Sequence, residues 1–330
     1  MGMNSSAPES SANAAAVAHV PTHPALRGGE PVELIAADGV RLRGELLMPR
    51  EPPRVAIVLS HAMMANRRSL DRPEGKGLLS ALCRAGAAVL WMDLRGHGQS
   101  DLANSKGANW TYDDHVADAG LMAAELARRF PDAERVAVGH SLFGHAALAH
   151  QIRVTEGAIA RGVAFDRFVL LGVNVWTPAL EPNRARWWAK RAVVAVLLGL
   201  TRLYGRFPAR RLRIGSDDEA LGFVQQMHEW TRSYWSDRAG HSFRTSMRLV
   251  KVPMLSIAGA NDRLLSVPQC QQNFVAQLGG KVEHRVVGRA TGYACDPGHM
   301  DLVLDARMEK LWDEVAQFAV AGGRTDAASQ

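Results

Sequence analysis

Three residues in this chain are of the types that carry nucleophilic acyl chemistry, and each stands where a turn is expected. Ser141 lies in Val136-Ala137-Val138-Gly139-His140-Ser141-Leu142-Phe143-Gly144-His145, where a buried-strand pattern runs into a turn and then a helix pattern. Such a turn exposes a hydroxyl at the end of a sheet. The helix start aims backbone N–H groups at the same point, where they can hold an oxyanion. Taken alone, the segment also fits an ordinary strand-to-helix turn with an incidental serine. His299 stands in Asp296-Pro297-Gly298-His299-Met300-Asp301, between the last strand pattern and the C-terminal helix pattern. A histidine titrating near pH 6.5 can take a serine proton at neutral pH and return it to a leaving group. Asp262 closes the apolar run Pro253 to Asp262. A buried carboxylate there would accept the imidazole N–H and fix its tautomer; a turn aspartate is the plainer alternative. His284 competes for the base but falls within a predicted strand. His140 and His145 flank the serine and read as structural. The spacing of Cys, His and acidic residues suggests no metal site.

The elements that must position these residues alternate. Val32 to Ile35 and Val40 to Leu47 flank Asp38-Gly39 and read as a β-hairpin. Strands are expected at 55–60, 88–94, 135–139, 165–173, 252–258 and 281–287. Helices are expected at 77–84, 113–130, 143–152, 267–278 and 302–321. Continuous apolar strands alternating with helices imply a mostly parallel sheet covered on both faces. Residues 175 to 250 break the rhythm and are too long for a strand–helix connection. They hold Trp176, Trp187, Trp188, Trp230 and Trp235, and an apolar helical run, Ala192 to Tyr204, that ends at Gly205. The chain therefore divides into a disordered tail (1–30), a first core part (31–174), an inserted helical cap (175–250) and a second core part (251–330).

The Ser141 turn and the order Ser141, Asp262, His299 resemble the α/β-hydrolase superfamily. The resemblance covers roughly residues 30 to 320. It implies an α/β-hydrolase fold with Ser141 as nucleophile, Asp262 as orienting acid and His299 as base. Trp91-Met92-Asp93-Leu94-Arg95-Gly96-His97-Gly98-Gln99-Ser100 looks like the family's Asp-x-Arg-Gly-x-Gly-x-Ser turn, a structural one in which Asp93 and Arg95 hydrogen-bond loops near the site. His61-Ala62-Met63-Met64 matches the oxyanion loop, which places one donor on the Met63 amide beside that of Leu142. Two positions depart from the pattern. Phe143 stands where the elbow normally has glycine, and Ala62 replaces a glycine of the oxyanion loop. His61, Phe143 and Trp176 are the candidate substrate contacts. A serine nucleophile sets the chain apart from the dehalogenases and epoxide hydrolases of the fold, which use aspartate. It favours ester, thioester or amide hydrolysis, or acyl transfer, with no cofactor. A non-catalytic binding protein on the same fold is a further alternative. Within the superfamily the sequence looks closest to predicted hydrolases near serine aminopeptidase-like and lysophospholipase-like enzymes, a likeness supported by Leu200 to Leu212.

Composition bounds the partners. Hydrophobic residues make up 47%, enough for a packed core. The net charge of +6 is local. Residues 175–250 hold 13 Arg or Lys against 6 Asp or Glu, so the rest of the chain is near neutral. That distribution argues against nucleic acid, and the serine chemistry points to a small acyl substrate, a lipid among the candidates. A cap rich in Trp and Arg would suit an acyl chain with an anionic head group, or an anionic membrane surface. The plainer and favoured reading is a solvated basic helix whose tryptophans pack on the core. Met1 to Ser6 fits the N-myristoylation pattern, which arises often by chance. Three scattered cysteines and the lack of a secretory pattern suggest a cytoplasmic protein.

Overall fold

A computed structural model describes residues 27–322, except Asn104 and Lys106. Most of the expected tail, and the N-terminal myristoylation pattern, lie outside the described residues. The first strand starts at Arg27, inside the segment read as tail.

Among the described residues ten strands form: β1 (Arg27–Ile35), β2 (Arg41–Met48), β3 (Val55–Ser60), β4 (Ala88–Met92), β5 (Glu134–His140), β6 (Arg167–Leu171), β7 (Arg206–Phe207), β8 (Glu219–Ala220), β9 (Met254–Gly259) and β10 (Val282–Val287). Eight of them make one sheet in the order β1-β2-β4-β3-β5-β6-β9-β10. The hairpin strand β2 runs antiparallel to both β1 and β4, and every other neighbouring pair is parallel. After β3 the chain steps outward to β4, then crosses back to β5 on the other side of β3. Open α/β sheets bind ligands where strand order reverses in this way, at the carboxyl ends. Those ends carry His61 to Met64 after β3 and Ser141 after β5.

Helices cover both faces. They are α1 (Leu78–Arg84), α2 (Tyr112–Arg129), α3 (Leu142–Thr155), α4 (Arg184–Tyr204), α5 (Ala209–Leu212), α6 (Leu221–Trp230), α7 (Pro268–Val275), α8 (Asp301–Leu304) and α9 (Glu309–Val320). Strand β3 shows how the sequence builds two cores, because successive side chains point to opposite faces. Ala56 and Val58 pack in one cluster with Tyr112, Phe143 and Phe168. Val55, Ile57 and Leu59 pack in the other with Leu82, Leu311 and Val315. Each buried side chain of Leu or Val size contributes about 1.5–3 kcal/mol.

The single C-terminal helix expected over 302–321 is two helices. Asp305 accepts from the Arg307 amide at 2.9 Å and caps a short turn between α8 and α9. Such a side-chain cap offers the backbone an alternative to continued helix.

The segment between β6 and β9 contains α4, α5, α6 and the β7–β8 ribbon. Helix α4 is capped at its start by Asn183, whose side chain accepts from the Arg186 amide, and at its end by Gly205 with φ 77°. Part of the insertion is welded to the core. Tyr112 of α2 meets Trp230 edge-on at 4.7 Å, and Trp235 and Phe243 lie against the same ring.

Candidate active site

Ser141 sits between β5 and α3 with φ 52° and ψ −109°. A non-glycine residue there is strained by about 1–3 kcal/mol, and such strain clusters at functional sites. The turn is held from both sides. The Ser141 amide donates to the Leu171 carbonyl at 2.9 Å, and the Phe143 amide to the His61 carbonyl at 3.3 Å. Its tightness rests on two glycines. A Cβ on Gly139 would stand 2.4 Å from the Gly144 Cα, and one on Gly144 would stand 2.3 Å from Val173 Cγ2. The small residue facing Gly139 is thus Gly144. Phe143 turns away into the core.

His299 and Asp262 meet although 37 residues separate them. Nδ1 of His299 lies 2.8 Å from Oδ2 of Asp262. The Asp262 carboxylate also accepts the amides of Leu265 at 2.9 Å and Ser266 at 2.8 Å. Burial alone would raise this carboxyl. The hydrogen bond and charge of His299, with the backbone amides, outweigh burial and hold it below its ordinary value. The carboxylate fixes the proton on Nδ1 and leaves the Nε2 lone pair of His299 free to act as a base. The two loops are fitted to each other. The Asn261 amide donates to the Pro297 carbonyl at 3.0 Å, and a Cβ on Gly259 would stand 2.4 Å from that same oxygen.

The imidazole of His299 reaches the serine turn over Gly172, where a Cβ would stand 3.0 Å from its Cε1. Gly172 has φ 59° and follows Leu171, the residue that binds the Ser141 amide. From the other side, His140 Nε2 donates to the His299 carbonyl at 3.1 Å, and the two rings are 5.0 Å apart. Burial, reinforced by His299, pushes His140 down to about 3, so it is a neutral prop. Ser141 and His299 share no hydrogen bond among the described residues; such bonds often tighten only around substrate.

The amides of Met63 and Leu142 have no acceptor among the described residues. Next to Met63, Met64 has φ 57° and is gripped by the insertion. Its amide donates to Glu219 Oε1 at 2.7 Å, and its carbonyl accepts the Ser216 amide at 2.9 Å. Glu219 is fully buried, and the same oxygen lies 3.0 Å from His97 Nε2. Burial would lower His97, but Glu219 and then Asp217 outweigh it and push it up to about 9. Asp217 in turn accepts from the Gly98 amide and from Asn66 Nδ2, both at 2.8 Å. Sequence reading missed this group. Its signal was Asp217-Asp218-Glu219, an acidic run inside an otherwise basic segment.

The Asp93 turn plays the expected structural role. Asp93 accepts the Arg67 amide and side chain at 2.8 and 2.7 Å, and Arg95 makes a two-pronged bond to Asp118. Two of the three expected substrate contacts need correction. His61 is fully buried with both ring nitrogens engaged, Nδ1 at the Ala62 carbonyl and Nε2 at the Leu94 amide. Burial pushes it down to about 3. Phe143 is also fully buried. Neither presents a surface, because one ties two loops together and the other fills the core. Trp176 is half-buried, and its indole N–H donates to the carbonyl of Leu265, in the loop that wraps Asp262.

Among the described residues no group of His, Cys and acidic side chains is arranged to hold a metal ion. Cys83, Cys270 and Cys295 are free and buried. A cleft of about 770 Å³ lined by Asp113, Arg153, Asp237 and Phe243 contains neither Ser141 nor His299. Its walls also hold His241 and Ser242; His241 Nδ1 lies 3.3 Å from Asp237 Oδ2, and no hydrogen bond links His241 to the Ser242 hydroxyl among the described residues.

Comparison with known proteins agrees with this fold. The model of the family described as serine aminopeptidase, S33, matches residues 51–287. A search of curated proteins finds no match. Among solved structures, a hydrolase from Pseudomonas aeruginosa PA01 is 18% identical with a TM-score of 0.54, over 89% of this chain and 99% of that one. An esterase from Exiguobacterium antarcticum is 16% identical at 0.55, over 88% and 99%. A lipase in an open form is 16% identical at 0.61, over 90% and 100%. At these identities the likeness is one of fold.

Proposed function

Since this chain belongs to the serine aminopeptidase S33 family of α/β-hydrolases, we propose that it is a serine hydrolase acting on a carboxylic ester, with Ser141, Asp262 and His299 as its triad. The observation that carries this reading is the 2.8 Å bond from His299 to Asp262 beside a Ser141 held at φ 52°. Nε2 of His299 takes the Ser141 proton as Oγ bonds to the substrate carbonyl carbon. The oxyanion that forms is held by the amides of Met63 and Leu142. The C–O bond to the leaving alcohol then breaks, and His299 gives that oxygen the proton. Water, deprotonated by His299, attacks the acyl-enzyme and releases the acid and Ser141. No cofactor enters these steps. Trp176, tied to the acid loop, borders the substrate. The esterase and lipase names among the structural neighbours favour an ester over an amide.

The test is labelling with a fluorophosphonate probe, read by intact mass and peptide mapping. A single adduct on Ser141, absent from Ser141→Ala, is the expected result. No adduct on a folded wild type would overturn the proposal and leave a binding protein on a hydrolase fold.

A further inference from the structure

Helix α4 faces outward with its apolar side. Lys190, Val194, Leu198 and Thr201 form its buried side. Lys190 anchors that side through Glu181, at 2.9 Å. Trp188, Ala192, Val196, Gly199 and Leu203 are all exposed. Their spacing of i, i+4, i+8, i+11 and i+15 aligns them in one stripe about four turns long. Trp188 is 59% exposed, Val196 61% and Leu203 73%. Single exposed apolar side chains are ordinary, but an aligned stripe marks an interaction surface.

The charge around the stripe identifies its partner. Arg184, Arg191 and Arg202 fall along one edge of it on the helix wheel, and the Arg191 guanidinium lies 4.7 Å from the Trp188 ring. Residues 184–214 contain nine Arg or Lys and no Asp or Glu. A second copy of this helix would set arginine edge against arginine edge, with no acid to pair. An anionic bilayer supplies both an apolar layer for the stripe and negative groups for its border. No helix among the described residues is long and apolar enough to cross a membrane, so α4 would lie in the interface.

We propose that the outward face of α4 docks the protein on an anionic lipid surface. The test is flotation of the full-length protein with vesicles of phosphatidylcholine plus phosphatidylserine, and with phosphatidylcholine alone. Wild type floats with the mixed vesicles, less so as salt is raised, and not with the neutral ones. The triple variant Trp188→Ser, Val196→Ser, Leu203→Ser changes only exposed side chains and binds roughly tenfold more weakly, with an unchanged circular dichroism spectrum. Arg184→Glu with Arg202→Glu weakens binding to the mixed vesicles similarly. Wild type that fails to float with mixed vesicles, or a triple variant that floats equally well, would overturn the proposal. So would a wild-type dimer in sedimentation velocity that the triple variant abolishes, which would make the occupant a second copy of this chain.

Discussion

Glu219 of the insertion accepts the backbone amide of Met64 at 2.7 Å. Through this bond an element far along the chain fixes the backbone next to Met63. Glu219→Ala is expected to lower kcat about tenfold to a hundredfold by letting the Met63 amide drift. Glu219→Gln keeps an acceptor oxygen and should recover most of that loss. Steady-state kinetics on a short-chain nitrophenyl ester would read both. Equal loss in the two variants would mean that the charge, rather than the hydrogen bond, matters.

The pH dependence of stability should peak above 6.5, near neutral pH. His97 is pushed up to about 9, so its stabilisation is complete below 6.5 and is lost as pH rises toward 9. Burial pushes His61, His140 and His145 down to about 3, each neutral in the native state. The unfolded chain protonates them below 6.5, so stability falls with pH there. The slope approaches about 1.4 kcal/mol per pH unit for each. Urea midpoints measured across this range would show the dome, and a flat acid limb would contradict it.

Asp262→Asn should leave the fold intact and cut kcat on the order of a thousandfold or more, because the amide no longer fixes the proton on His299 Nδ1. Fluorophosphonate labelling of Ser141 should slow in parallel. Undiminished labelling would remove Asp262 from the mechanism.

Phe143 tests what the elbow requires. It is fully buried, and Gly144 supplies the close approach to Gly139. Phe143→Ala should therefore destabilise the protein by about 3–5 kcal/mol rather than improve the turn. A rise in activity without loss of stability would show that Phe143 obstructs the site.

Ser141→Gly should raise stability by about 1 kcal/mol, since glycine adopts φ 52° without a Cβ penalty, while abolishing labelling. A loss of stability would mean that the hydroxyl makes a contact worth more than the strain.

The strands were legible because their apolar runs have no competing period. Val55–Ser60 stands in the fold as its pattern predicts, and α4 ends where Gly205 closes its apolar run. The split between α8 and α9 was hidden, because one capping aspartate leaves the apolar pattern unbroken. His61 and Phe143 were misjudged for another reason. Nearness to Ser141 in sequence, or at a neighbouring strand end, does not say which way a side chain points.

The sequence by itself determined the alternating architecture, the serine turn and the identity of the residues able to do chemistry, since each depends on local pattern and residue type. Only the tertiary structure decided that Asp262 and His299 meet, that Gly144 rather than residue 143 closes the elbow, that Glu219 grips Met64, and that α4 carries its apolar stripe outward. Helical periodicity shows that a helix has an apolar face, but which face is buried depends on what packs against it. Hydrogen bonds between residues dozens of positions apart likewise exist only once the sheet order has set the distances.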